Sequence, residues 1–201
     1  MSANDSYFEL GQHHRTVTTS SESAQTWFDR GLTWVYGFNH EEAIVCFENA
    51  IEDDPGCPMA HWGIAYAIGP NYNKAWEMFE PDEKAEALAS AHRAIEAGLA
   101  ADVLTDAERA LLNALAERYQ ADATVEDFGP LDDAFADAMR TVYASYPDDL
   151  DVCSVFAEAL MGRTPWALWD LASGEPADGA STAEAQAVLE TAFQDLSLIH
   201  I

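Results

Sequence analysis

The stretch from Ala24 to Pro55, AQTWFDRGLTWVYGFNHEEAIVCFENAIEDDP, constrains this chain more than any other. It predicts two helices broken at Gly37-Phe38-Asn39. Trp27, Gly31 and Trp34 recur at intervals of four and three in the first, and Ala43, Phe47 and Ala50 do so in the second. Apolar residues at that spacing make one dry stripe per helix, which has to be covered. Two such helices joined by a short turn cover each other as an antiparallel hairpin. Gly31 is informative because glycine inside a helix costs about 1 kcal/mol relative to alanine. Its presence predicts a close approach by a neighbouring backbone, with Ala43 and Ala50 as the small faces that permit it.

Trp27, Gly31, Trp34, Ala43, Phe47, Ala50 and Pro55 stand at the spacing of the 34-residue tetratricopeptide signature. The stretch therefore resembles one tetratricopeptide repeat. Arg30 departs from the pattern, standing where the signature has leucine, so the first helix has to lean on Trp27, Phe28 and Trp34. GFNHEEAIVCFENAIEDDP followed by MAHWGIAYAIGPNYNKAW resembles the N-terminal part of a widespread bacterial family of large tetratricopeptide-repeat proteins. The likeness runs from about Thr18 to about Phe193. It implies an all-α fold of antiparallel helical hairpins stacked as a right-handed α-solenoid, and no particular reaction.

The remaining helix signals continue the alternation. A third helix is expected from Pro58 to Ile68, stopping at Gly69-Pro70. After the insertion Asn71-Tyr72-Asn73-Lys74-Ala75-Trp76, a fourth runs from Asp82 to Glu96, with Gly98 as its C-terminal cap. Ala43 and its equivalent Ala87 are 44 positions apart, ten beyond the tetratricopeptide period, and the insertion accounts for the surplus. Thr105 with Glu108 forms a capping box opening a fifth helix to about Gln120. A sixth starts at Gly129-Pro130 and ends near Pro147. The seventh covers Leu150 to Met161, and a second insertion, Gly162 to Ala180, follows with Trp166 and Trp169. Ser181 with Glu184 caps an eighth through Phe193. Asn39 with Glu42, and Ser21 or Ser23, cap the second and first helices. Residues 1–20 are expected as a flexible arm, 21–195 as the repeat domain, and 196–201 as a non-native tail of a truncated chain.

Charge narrows the partners. The chain has 36 acidic and 9 basic residues among 201, a net charge of −27, with only two lysines, Lys74 and Lys84. Such a field repels nucleic acid and anionic lipid, so neither is expected as a partner. Basic peptides, metal cations in a loose atmosphere, or an acid-rich surface adapted to a saline cytoplasm fit it, and the saline adaptation is the favoured expectation. Cys46, Cys57 and Cys153 are odd in number and lack a Cys-x-x-Cys pair, which argues for reduced thiols and against a disulfide framework or zinc site. The N-terminus has no basic-then-apolar order of a signal peptide, and no apolar run approaches the ~20 residues of a membrane span. A cytoplasmic location is expected.

No motif nominates a catalyst, a metal site or a cofactor, so none of the three is expected. The six histidines lack ligand spacing. The pairs Glu41-Glu42, Asp53-Asp54 and Asp148-Asp149 lie at helix starts and turns, where carboxylates cap. The better lead is aromatic. By the signature's register, Phe28, Leu32, Tyr36, Trp62 and Tyr66 face a concave groove for a protein or peptide partner, with His61 beside them. Asn71, Tyr72, Asn73 and Trp76 form an insertion that either binds or plugs. Trp166 and Trp169 are expected as a buried plug. The function expected is a non-catalytic interaction scaffold; the alternative is a small-molecule or enzymatic pocket at Asn71 to Trp76. Homo-oligomerisation through an exposed terminal hairpin is a third expectation.

Overall fold

The computed structural model describes residues 7–119, 125 and 127–199, with side chains described through residue 194 in the last helix. Among the described residues eight α-helices follow in order: α1 Glu22–Tyr36, α2 His40–Asp53, α3 Pro58–Ile68, α4 Pro81–Leu99, α5 Asp106–Ala116, α6 Gly129–Ser145, α7 Leu150–Gly162 and α8 Thr182–Ile199. One 3-10 turn, Trp76–Met78, lies between α3 and α4. Among the described residues there is no strand, only the isolated bridges Asn71–Lys74 and Trp169–Pro176. The fold is all-α. Its residues form two compact units, Met1–Gly69 with Ala87–Leu112, and Pro70–Glu86 with Asn113–Ile201.

In the first unit α1 packs on α2 and α2 on α3. Only three residues join α1 to α2, so the pair is antiparallel; Phe38 makes the reversal with φ +58°. Ser21 Oγ accepts from Ala24 N at 3.2 Å, and Asn39 Oδ1 accepts from Glu42 N at 3.4 Å, placing both helix starts where the sequence puts them. The α2 stripe is also as expected, with Ala43, Phe47 and Ala50 fully buried. Phe47 is the centre of the unit. Its ring is wedged between Gly31 of α1 and Gly63 of α3: a Cβ on either glycine would stand 2.5–2.8 Å from ring carbons. Gly31 therefore admits an aromatic ring, not the backbone opposite Ala43 that its position predicts.

The buried face of α1 is turned from the expected one. Ala24, Phe28, Gly31, Leu32 and Val35 are buried, whereas Trp27 and Trp34 are only half-buried. Arg30 supplies the reason. It occupies the same side as Trp27 and Trp34, and a guanidinium cannot enter a dry core unpaired. That side therefore stays outermost, with the guanidinium 4.6 Å from the Trp27 ring centroid and 4.4 Å from that of Tyr7.

Tyr7 belongs to the segment expected as a flexible arm, and residues 7–20 are tied down. The Tyr7 hydroxyl donates to Glu42 at 2.6 Å and accepts from Trp34 Nε1 at 2.8 Å. Asp29 takes the His14 ring at 2.7 Å and the Arg15 amide at 3.1 Å, and Val17 is buried. Glu108 completes the tether: its carboxylate accepts the Thr18 amide at 2.7 Å and hydroxyl at 2.6 Å while closing the capping box with Thr105 N at 2.9 Å. Burial pushes the Glu108 carboxyl up, but its bonds from Thr18 and Thr105 outweigh this and hold it below the usual glutamate range. Glu108→Ala is expected to cost about 1–3 kcal/mol by removing the hydrogen bonds that this charged acceptor takes from Thr18 and Thr105. Amide exchange at Thr18 should rise with it; unchanged protection there refutes the tether.

Gly98, expected as a cap, lies inside α4. A Cβ there would come within 2.9 Å of Leu112 and 3.1 Å of the Pro58 carbonyl oxygen, so close packing and not a left-handed turn explains it. Helix α5 ends at Ala116, short of the expected Gln120, which lies outside the described residues.

In the second unit α6 packs on α7 and α7 on α8 around Phe135, Met139, Val152, Phe156 and Leu160. Asp149 caps α7, accepting from Asp151 N and Val152 N at 3.1 Å. The expected Ser181–Glu184 cap is diverted to two arginines. Ser181 Oγ accepts from Arg163 at 2.5 Å, and Glu184 receives Arg140 at 2.7 and 3.0 Å, a two-pronged bridge from α6 to α8. The helical backbone of α8 continues to Ile199, through residues expected as a tail that departs from it. Residues 200 and 201 lie outside the described residues.

Candidate functional site

The residues expected to line a groove fall in both units, and most are inside. In the first unit Phe28 and Leu32 are core residues packed at the α1–α2 seam, so they offer a ligand no surface. Trp62 and Tyr66 are buried too and stack on each other, ring centroids 4.9 Å apart and planes 13° from parallel. Spacing of i and i+4 on α3 puts the rings face to face. His61 places Nε2 3.2 Å from the Pro55 carbonyl, a structural bond across the turn before α3. Tyr36 alone of this set is exposed.

The first insertion is mostly structural. Asn71 and Lys74 exchange backbone hydrogen bonds of 3.1 and 3.0 Å, and Asn71 Oδ1 accepts from Asn73 N at 2.9 Å and Lys74 N at 3.1 Å. The Asn71 side-chain oxygen thus builds a tight turn, both of its acceptor sites taken by backbone amides. Trp76 is a plug, 1% exposed, with its ring 4.7 Å from Phe128, 5.0 Å from Phe79 and 6.1 Å from Tyr119. Asn73 is exposed, and half-exposed Tyr72 rests on Trp166 at 5.5 Å.

The second insertion overturns the expected plug. Trp166 is 70% exposed, Trp169 45%, and Leu171, at the tip, 95%. The loop is nevertheless ordered by its own hydrogen bonds. Asp170 N donates to the Glu175 carbonyl at 2.9 Å, Gly174 N to the Asp170 carbonyl at 2.8 Å, and Asp170 Oδ1 accepts from Ala172 N at 2.8 Å. Its base is held by Thr182 Oγ1 donating to the Leu168 carbonyl at 2.5 Å. Trp166 holds φ +62°, a left-handed conformation unfavourable for so large a side chain.

Behind this loop lies an open apolar cleft of about 540 Å³, lined by Met161, Leu168, Trp169, Ala185, Leu189 and Phe193. Phe193 is 65% exposed. Its α8 residues recur at i, i+4 and i+8 (185, 189, 193), one stripe of the helix. Ala185 is buried and Met161 of α7 lines the same cleft, so the cleft lies beside the α7–α8 packing and opens toward Leu189 and Phe193. A smaller polar cleft of about 260 Å³, between Phe8–His13 and α1, is a seam rather than a site. Its groups are engaged: Asp29 by His14, Arg15 and Gln25, Thr26 and Thr33 by carbonyls of their own helix.

One cluster escaped the sequence. Arg118, 2% exposed, places Nε 3.5 Å from Asp132 Oδ1 and Nη1 4.0 Å from Glu158 Oε2, with its guanidinium 4.9 Å from the Phe135 centroid. Burial pushes the Asp132 carboxyl up to about 6 despite the arginine beside it, because contacts this long do not repay the lost hydration. The available signal was Glu158, a lone carboxylate in the apolar run VFAEALM. Among the described residues no group of three His, Cys, Asp or Glu side chains gathers closely enough for a metal ion. All three cysteines are buried and unbridged, and burial lifts the Cys57 thiol to about 11, away from thiolate chemistry. No described helix is long and apolar enough to cross a membrane.

Compared with models of protein families, with curated proteins and with solved structures, the chain matches none.

Proposed function

We propose that this chain is a non-catalytic protein-interaction module built of tetratricopeptide-like helical hairpins, and that it binds through the α7–α8 face and the 163–180 loop. The observation that carries this is the open cleft flanked by Trp169 and Phe193. Isolated exposed apolar residues are ordinary, but a large aromatic patch around a concave apolar surface marks an interaction site. Tryptophan and phenylalanine bury much area at little entropic cost, which makes them anchors. The nesting of α1, α2 and α3 around Phe47, together with the signature residues, supports the repeat character. The groove thus sits elsewhere than the signature's register puts it, because Phe28 and Leu32 are spent on the core.

Trp169→Ala is expected to weaken capture of a protein partner about tenfold or more while leaving the fold intact, since removing an anchoring aromatic costs about 2 kcal/mol. In-cell photocrosslinking from position 189 should give a discrete adduct band that Trp169→Ala removes. An identical band in the variant, with unchanged circular dichroism, refutes the assignment of the site.

A further inference from the structure

We infer that the occupant of the α7–α8 cleft is an amphipathic helix of basic character, with its apolar side on Leu189 and Phe193 and its lysines or arginines on the acidic rim; this rests on the interaction reading above.

Shape gives the helix. The α8 stripe Ala185, Leu189, Phe193 and its neighbours Gln186 and Glu190 present rows spaced by three and four residues. Such ridges and grooves accept another helix lying alongside, whose own i, i+3, i+4, i+7 residues enter the gaps. The Leu168–Trp169 segment forms the second wall, so the cleft is bounded on one side by a helix and on the other by a fixed loop.

Charge gives the sign. Between residues 162 and 194 the chain carries Asp170, Glu175, Asp178, Glu184 and Glu190 against a single basic residue, Arg163. Arg163 is held by Asp133 at 2.6 Å and by Ser181, and Glu184 by Arg140. Glu190 lines the cleft and is exposed, and Asp170, Glu175 and Asp178 are exposed on the loop that carries Leu168 and Trp169. An apolar surface rimmed by carboxylates attracts a cationic amphipath and repels an anionic one. The same field disfavours a second copy of this chain, whose net charge is also −27.

The test titrates the full chain with three labelled 18-residue probes followed by fluorescence anisotropy. One has leucines at helical spacing with lysines opposite; the second has glutamates in place of the lysines; the third is the first with its order scrambled to abolish the apolar face. The first is expected to bind at least roughly tenfold more tightly than either other. Leu189→Gln and Phe193→Ser, which keep the net charge, should each lose about tenfold for that probe, and amide exchange of α8 should slow on binding. Equal binding of the scrambled probe, or no loss in both variants, overturns the inference, because the affinity is then general electrostatics. Tight binding of the acidic probe, abolished by the same variants, overturns the partner's charge and leaves the interaction site standing. If no probe binds and wild-type chain dimerises in molar KCl while Phe193→Ser does not, a second copy is the occupant and the inference falls.

Discussion

Phe47→Ala is expected to lower stability by about 3–5 kcal/mol, among the largest effects of any single truncation in this chain. The ring fills the space between three helices, and a methyl group leaves a cavity bounded by two residues that have no side chain to relax into it. The glycines make a sharper test than the truncation alone. In the wild type, Gly31→Ala and Gly63→Ala each drive a carbon to within 2.5–2.8 Å of the ring, which outweighs alanine's advantage of about 1 kcal/mol in a helix. In the Phe47→Ala background that collision is gone, and the same glycine substitutions should become neutral or stabilising. Urea denaturation of the double-mutant cycle should give a coupling of about 1–3 kcal/mol for each glycine. Additive effects would mean that the ring does not occupy that wedge.

Arg118→Ala should cost about 3–5 kcal/mol at pH 7, because it strands Asp132 and Glu158 in a poorly hydrated setting. The loss should shrink on acidification, since a protonated Asp132 needs no counter-charge. Asp132 itself sets a sign. Its folded pKa is about 6, against about 4 in an unfolded chain. Between those values the folded state binds the proton more tightly, so stability falls as pH rises from about 4 to 6, by up to about 3 kcal/mol. Above pH 6 both states are ionised and the contribution is flat. Glu108 and Glu184, whose carboxyls are held below their usual range, act in the opposite sense at lower pH, losing stability as they protonate. Asp132→Asn should remove the fall between pH 4 and 6 and leave the acid limb. A variant with the wild-type slope would place the perturbed group elsewhere.

These outcomes bear on how much could be read in advance. Helix starts were accessible because they depend on neighbours in sequence: Ser21, Asn39, Thr105 and Asp149 bond to amides two or three residues away, wherever the rest of the chain goes. The α2 stripe was accessible for the same reason, as its small and aromatic residues alternate with glutamates and leave one dry face. The Ser181–Glu184 cap failed because two distant arginines outbid the local amides for the same oxygens.

The amino-acid order by itself determined an all-α chain, where its helices begin, and that Gly31 has to meet something close. Tertiary structure decided what Gly31 meets, which side of α1 turns inward, and which of two tryptophan-bearing insertions is the plug. The physical reason is that burial is a competition. Trp76 and Trp169 carry the same side chain on irregular segments of similar composition. Phe79, Tyr119 and Phe128 enclose one, whereas the other flanks an open cleft and stays 45% exposed. No spacing rule encodes which aromatic finds distant partners, so the surface offered for recognition emerges only once the core has taken its share.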